Sequence, residues 1–233
     1  MSFFKTLSWV KRMKIAAVGD VHSPKYLPML IKALKEVEWS SIDVMVLTGD
    51  IINKGKVEFC APVINNIRKF FKGTILGVLG NEEYDSVKRQ LYRMCKITWL
   101  EDSSQMIDEV VFIGSRGSLD EPTSWQRRNV PNIRELYLAR LKKIQNMLAE
   151  NKDKKRVLIV HYPPRGETLK GENKAIWPML SSSLLTKIIE EEQPEVVIHS
   201  HTHNSVKNYA LIGKTKVFNT ALPATNRIIV VDV

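Results

Sequence analysis

The sequence predicts an α/β fold, and three observations carry that expectation. Apolar runs that read as buried strands alternate with segments whose apolar residues recur at helical spacing. The first three of these strands each stop at a glycine followed by a polar residue. The last three strand-like runs follow one another with no helix between them. Crossovers long enough to hold a helix imply parallel pairing, whereas closely spaced runs imply antiparallel pairing.

Residues 14–19, KIAAVG, form the first strand, and Leu27, Leu30, Ile31, Leu34 and Val37 mark a helix over 26–37. Residues 44–49, VMVLTG, repeat the pattern, and Val57, Ala61, Ile64, Ile67 and Phe71 mark the second helix. A third strand over 74–79 stops at Gly80, and 83–94 is expected to be helical. After a short strand at 110–114, residues 115–131 read as a long loop containing Pro122 and Pro131. Asn132, with Glu135 three residues on, suggests a capping box opening a helix with Ile133, Leu136, Tyr137, Leu141, Ile144 and Leu148 on one stripe. A strand at 156–160 ends at His161 and leads into a second long loop. A helix over 183–192, stopped by Pro194, precedes the strand at 195–198. Runs at 207–212, 215–219 and 227–231 complete an antiparallel finish.

The chain has 233 residues, 44% of them hydrophobic and 26% charged, enough for a large core without covalent staples. We expect a lead-in over 1–12 and one domain over 13–233. The first fourteen residues, MSFFKTLSWVKRMK, are basic, but their apolar part is too short for a secretory signal. No apolar run reaches the roughly 18–20 residues that span a bilayer. Cys60 and Cys95 lack metal-type spacing and argue against a disulfide framework, so a reducing cytoplasm is the expected location. The net charge of +10 favours anionic partners such as phosphate esters or nucleic acid.

The polar residues at the strand ends form one constellation. They are Asp20 with His22, Asp50, Asn81, His161, and His201 with His203 in the stretch HSHTH. In α/β sheets ligands bind beyond the carboxyl ends of strands, where all of these fall. Each residue alone has an ordinary explanation: Asp20, Asp50 and Asn81 suit turns, and His161 suits a satisfied core histidine. Together they make a carboxylate, imidazole and amide set suited to Mn, Fe, Zn, Ni or Co, with no thiolate. Two divalent ions would outweigh two carboxylates and one hydroxide by about one positive charge, which attracts phosphate.

The motifs GDVH (19–22), GD (49–50), GN (80–81), His161 in VHYPP, and SHTH (200–203) resemble the calcineurin-like metallophosphoesterase superfamily. The resemblance implies a four-layer αββα sandwich of two mixed sheets flanked by helices. It implies two divalent metal ions, Mn favoured. Asp20, His22 and His203 would hold one ion and Asn81, His161 and His201 the other, with Asp50 bridging. His199 precedes the motif and reads as a supporting or buried strand residue.

Two positions depart from the family pattern. Ser200 stands where glycine is usual. Glu82, in GNEE, stands where many members have a histidine that meets phosphate and protonates the leaving group, while Glu83 keeps the family's acidic residue. Glu82 could repel phosphate, act as a general acid, or turn away to pair with a basic side chain. Repulsion penalises a monoester dianion more than a diester monoanion. The leading expectation is therefore a binuclear phosphodiesterase using a metal-bridging hydroxide, with Asp50, Asn81 and Glu82 as the catalytic set. A phosphomonoesterase, a nuclease of the same fold, and a catalytically silent scaffold are the alternatives. A small-molecule phosphate ester is the favoured partner, and homo-oligomerisation stays open. Arg116 and Arg165 are the candidate substrate-binding residues, with Arg127 and Arg128 as further loop cations and Trp125 and Trp177 as loop anchors.

Overall fold

The structure is a computed structural model and describes residues 12–233. The lead-in expected at 1–12 lies outside the described residues except for Arg12. The first half runs β1 (Lys14–Val18), α1 (Leu27–Leu34), β2 (Val44–Leu47), α2 (Cys60–Phe70), β3 (Thr74–Gly77), α3 (Lys88–Met94), β4 (Thr98–Trp99), β5 (Ser103–Ile107) and β6 (Val110–Ser115). The second half runs α4 (Ser124–Asn129), α5 (Ile133–Glu150), β7 (Lys155–Val160), α6 (Ser183–Glu192), β8 (Val196–His199), β9 (Tyr209–Ile212), β10 (Thr215–Asn219), α7 (Leu222–Thr225) and β11 (Ile229–Asp232).

The strands form two mixed sheets, one of five strands ordered β11-β1-β2-β3-β4 and one of six ordered β5-β6-β7-β8-β10-β9. Both faces of the central strands are buried, which is why their sequences run apolar without alternation. Alternate residues nonetheless serve different layers. Ile15, Ala17, Val44 and Val46 pack against Val157, Ile159, Val196 and Ile198 of the other sheet. Their neighbours Ala16, Val18, Met45 and Leu47 pack beneath the first three helices. Leu158, Val160 and Val197 pack beneath α5 and α6. The result is the expected sandwich: helices, sheet, sheet, helices.

Several local expectations are corrected. The tail is not wholly antiparallel. β9 and β10 pair that way and β11 pairs antiparallel with β1, but β10 lies parallel to β8. The loop at 115–131 contains α4, opened by a capping box in which the Gln126 N–H donates to Thr123 Oγ1 and the Thr123 N–H donates to Gln126 Oε1. Asn132 precedes α5 in a left-handed conformation (φ 51°) and makes no side-chain cap, because a capping side chain needs extended backbone to reach the first free N–H groups. The helix expected from residue 83 begins at Lys88, because Glu83 is held by other backbone groups. Cys60 and Cys95 are joined as a disulfide. They are 35 residues apart, but the start of α2 and the residue after α3 meet with Cα atoms 6.0 Å apart. No spacing signal announced this. Among the described residues no helix is long and apolar enough to cross a membrane.

Candidate metal centre

The predicted residues follow the carboxyl ends of five strands and meet at one edge of the stacked sheets: Asp20 and His22 after β1, Asp50 after β2, Asn81 after β3, His161 after β7, and His201 and His203 after β8. Bringing the side chains inward needs unusual backbone. Asp20, His22, Asp50 and His201 have φ of 54°, 41°, 50° and 72°. Each left-handed non-glycine residue costs roughly 1 kcal/mol, the kind of strain that collects at functional sites. The motif glycines give room for the same turns. A Cβ on Gly80 would collide with the Asp50 carboxylate, and one on Gly19 with the Thr48 and Ser200 hydroxyls.

Two groups of ligand-type atoms result, Asp20–His22–His203 and Asp50–His161–His201, each with its atoms within 4.8 Å of one another. In the first, Asp20 Oδ1 lies 3.1 Å from His203 Nε2 and 3.6 Å from His22 Nε2. The two imidazole nitrogens are 3.4 Å apart. In the second, His161 Nε2 is 3.6 Å from Asp50 Oδ2 and 3.0 Å from Asn81 Oδ1. Asp50 Oδ2 also lies 3.8 Å from His22 Nε2, so this one oxygen faces both groups.

Each carboxylate is steadied through one oxygen and leaves the other inward. Asp20 Oδ2 accepts the His201 N–H at 2.7 Å, and Asp50 Oδ1 accepts the Glu82 N–H at 2.7 Å. Glu83 is buried and accepts the N–H groups of Asp50 (2.8 Å), Ile52 (3.1 Å) and Gly80 (2.7 Å), tying the GD and GN loops together. His161 Nδ1 lies 3.0 Å from the Thr48 carbonyl, which can only accept, so the proton sits on Nδ1 and Nε2 presents a lone pair. Ser200, the departure from glycine, is absorbed by the core. Its hydroxyl donates to the Thr48 carbonyl at 2.8 Å and lies 3.1 Å from His161 Nδ1. His199 is buried, bonded to Thr168, and burial lowers its pKa to about 4.

The electrostatics favour a cation. Burial, then the neighbouring Asp20 charge, push the Asp50 carboxyl up to about 7. Burial, then Asp50, push Glu83 up to about 7. Burial holds His161 and His201 below the ordinary imidazole range. Burial opposes the charged forms of His22 and His203, but Asp20 and Asp50 together outweigh it and raise both. Asp20 itself is held well below the carboxylate range by His203 and His22 in spite of burial. Carboxylates this close and this buried are costly without added positive charge. Asp20 Oδ1 is also buried without a hydrogen bond, as expected of an atom whose partner is an ion. The donor set therefore fits a pair of divalent ions.

Glu82 sits at the rim. Its carboxylate accepts the Lys54 N–H at 2.6 Å, and among the described residues it pairs with no basic side chain. Arg116 donates to the Glu83 carbonyl at 3.0 Å and to Asp85 at 3.2 Å, beside the centre. Arg165 pairs with Asp120 at 2.6 Å and ties the two long loops together. Arg127 and Arg128 are exposed on α4. Trp177 donates to the Glu172 carbonyl at 3.2 Å and anchors its loop.

Stacked sheets presenting carboxylates, imidazoles and an amide at one edge define a class of metal-binding α/β scaffolds. The chain belongs to the calcineurin-like phosphoesterase family, whose model matches residues 13–205. Membership places it among hydrolases of phosphate esters. No curated protein matches it by sequence. Among solved structures it is similar to the phosphopantetheinyl hydrolase PptH from Mycobacterium tuberculosis, with 13% identity, TM-score 0.70, and 94% of this chain and 96% of that one covered. It is similar to the protein TT1561 of Thermus thermophilus, with 15% identity, TM-score 0.61 and coverage of 95% and 99%. It also resembles a dimetal phosphatase from Danio rerio, with 12% identity, TM-score 0.58 and coverage of 89% and 86%. At these identities the likeness is one of fold.

Proposed function

We propose that this protein is a binuclear metal-dependent phosphodiesterase. The observation that carries the reading is Asp50 Oδ2, placed 3.8 Å from His22 Nε2 and 3.6 Å from His161 Nε2. A single oxygen common to two donor groups is what a shared pair of ions requires. Asp20, His22 and His203 would hold one ion, and Asn81, His161 and His201 the other. Manganese is our favoured occupant. When bound, such a pair polarises the phosphate and brings water's proton loss near neutral pH.

The chain's own groups do the rest. Glu83 holds the GD and GN loops in register, so Asp50 and Asn81 keep a fixed separation. Thr48 orients His161 through Nδ1. Glu82 is fixed at the rim by the Lys54 N–H, and its carboxylate faces an arriving anion. That repulsion weighs more on a monoester dianion than on a diester monoanion, which supports the diester preference. The dimetal phosphatase named above lends support to the two-ion reading.

The test is hydrolysis of a chromogenic bis-ester beside its mono-ester with added Mn²⁺. The proposal expects the bis-ester to have the higher kcat/KM. A mono-ester advantage of about tenfold would overturn the diester preference.

A further inference from the structure

That reading leaves the organic part of the substrate open. A cavity of about 640 Å³ adjoins the metal centre, and Asn81 and His201 line both. Its volume suits a ligand with a sizeable organic body rather than phosphate alone. Leu119, Ile133, Leu136 and Tyr162 supply an apolar wall contributed by the loop after β6, by α5 and by the loop after β7. Tyr84 and Trp125 line the same cavity and stack on each other, with ring centroids 5.8 Å apart and planes inclined by 22°. This contact joins α4 to the loop that carries Asn81 and Glu82. The Gln126 amide donates to the Tyr162 hydroxyl at 2.9 Å and secures α4 from below.

The charges on the wall are already matched. Arg116 pairs with Asp85 at 3.2 Å, and Arg140 with Asp102 at 3.9 Å. Glu82 adds a carboxylate at the rim. Among the described residues the cavity thus presents no unpaired cation to grip a second phosphate, which a polynucleotide would bring at every step. Glu82 and Asp85 balance Arg116 and Arg140 in its lining.

We propose that this cavity receives the organic group of the ester, and that the substrate class is a phosphoester bearing an uncharged, aromatic or similarly flat apolar group. The assignment rests on the phosphoesterase reading for the chemistry, and on the cavity alone for the specificity.

The test compares 2-(1-naphthyl)ethyl methyl phosphate with ethyl methyl phosphate, two diesters with alkoxide leaving groups of similar basicity. Calorimetric titration of the metal-free protein reads binding, and phosphorus NMR with Mn²⁺ reads hydrolysis. The naphthylethyl ester should bind and turn over, as Kd and kcat/KM, at least about tenfold better. Leu136→Trp, which narrows the cavity, should reduce that advantage. Trp125→Ala, on the exposed α4, should reduce it severalfold and guards against a misfolded Leu136 variant. Equal binding of the two esters, or an advantage untouched by both variants, would overturn the cavity assignment. Variant-sensitive binding without hydrolysis of either ester would uphold the cavity and overturn the phosphodiesterase reading instead.

Discussion

The backbone N–H of Glu82 donates to Asp50 Oδ1 at 2.7 Å. The bond divides the Asp50 carboxylate between two tasks. Oδ1 is held by the GN loop, and Oδ2 is left to face His22 and His161. Asp20 repeats the arrangement with the His201 N–H.

Asp50→Asn keeps the anchoring oxygen and removes the shared charge. Turnover on a bis-ester should fall by roughly a hundredfold or more, comparable to losing a preformed electrostatic contact in other active sites. Circular dichroism and the melting profile of the metal-free protein should stay near wild type. Turnover within a few-fold of wild type would show that Asp50 is misassigned.

Glu82→Gln should keep the acceptor for the Lys54 N–H and remove the rim charge. The kcat/KM for the mono-ester should rise more than that for the bis-ester, by about threefold to tenfold. A fall on both substrates would identify Glu82 as a proton donor, since an amide cannot replace a carboxylic acid in that role.

Glu83→Gln substitutes one acceptor oxygen for two while three buried N–H groups remain. The loss should be about 1–3 kcal/mol in denaturant titration of the metal-free protein. An unchanged midpoint would show that the GD and GN loops are held together by other contacts.

Ser200→Ala removes a hydroxyl from the Thr48 carbonyl but leaves the His161 bond to that carbonyl. Stability should drop by about 1 kcal/mol. Manganese affinity should stay within about tenfold of wild type, the lower end of effects seen on removing supporting bonds. Complete loss of metal binding would mean that Ser200, rather than Thr48, orients His161.

Much of this was readable in advance, for physical reasons. Strands buried on both faces write themselves as unbroken apolar runs, so β1, β2, β3, β7 and β8 stood out. The polar residues after them stood out because little else interrupts those runs. The short β4 and the half-exposed β5 had no such signature, and neither did α4, whose capping box sits among prolines and arginines. The pairing of β10 with β8 and the meeting of Cys60 with Cys95 are tertiary facts that local pattern does not encode. Arg116 and Arg165 look alike as loop cations, yet of the two Arg116 lines the cavity, beside Asp85, and Arg165 pairs with Asp120. Thr48 and Ser200 were invisible as partners of His161, since their alignment depends on the stacking of the two sheets.

The most direct test is anomalous diffraction from crystals soaked in Mn²⁺. The account predicts two peaks about 3.5–4 Å apart, with Asp50 Oδ2 between them. A single peak, or none near Asp50, would contradict it.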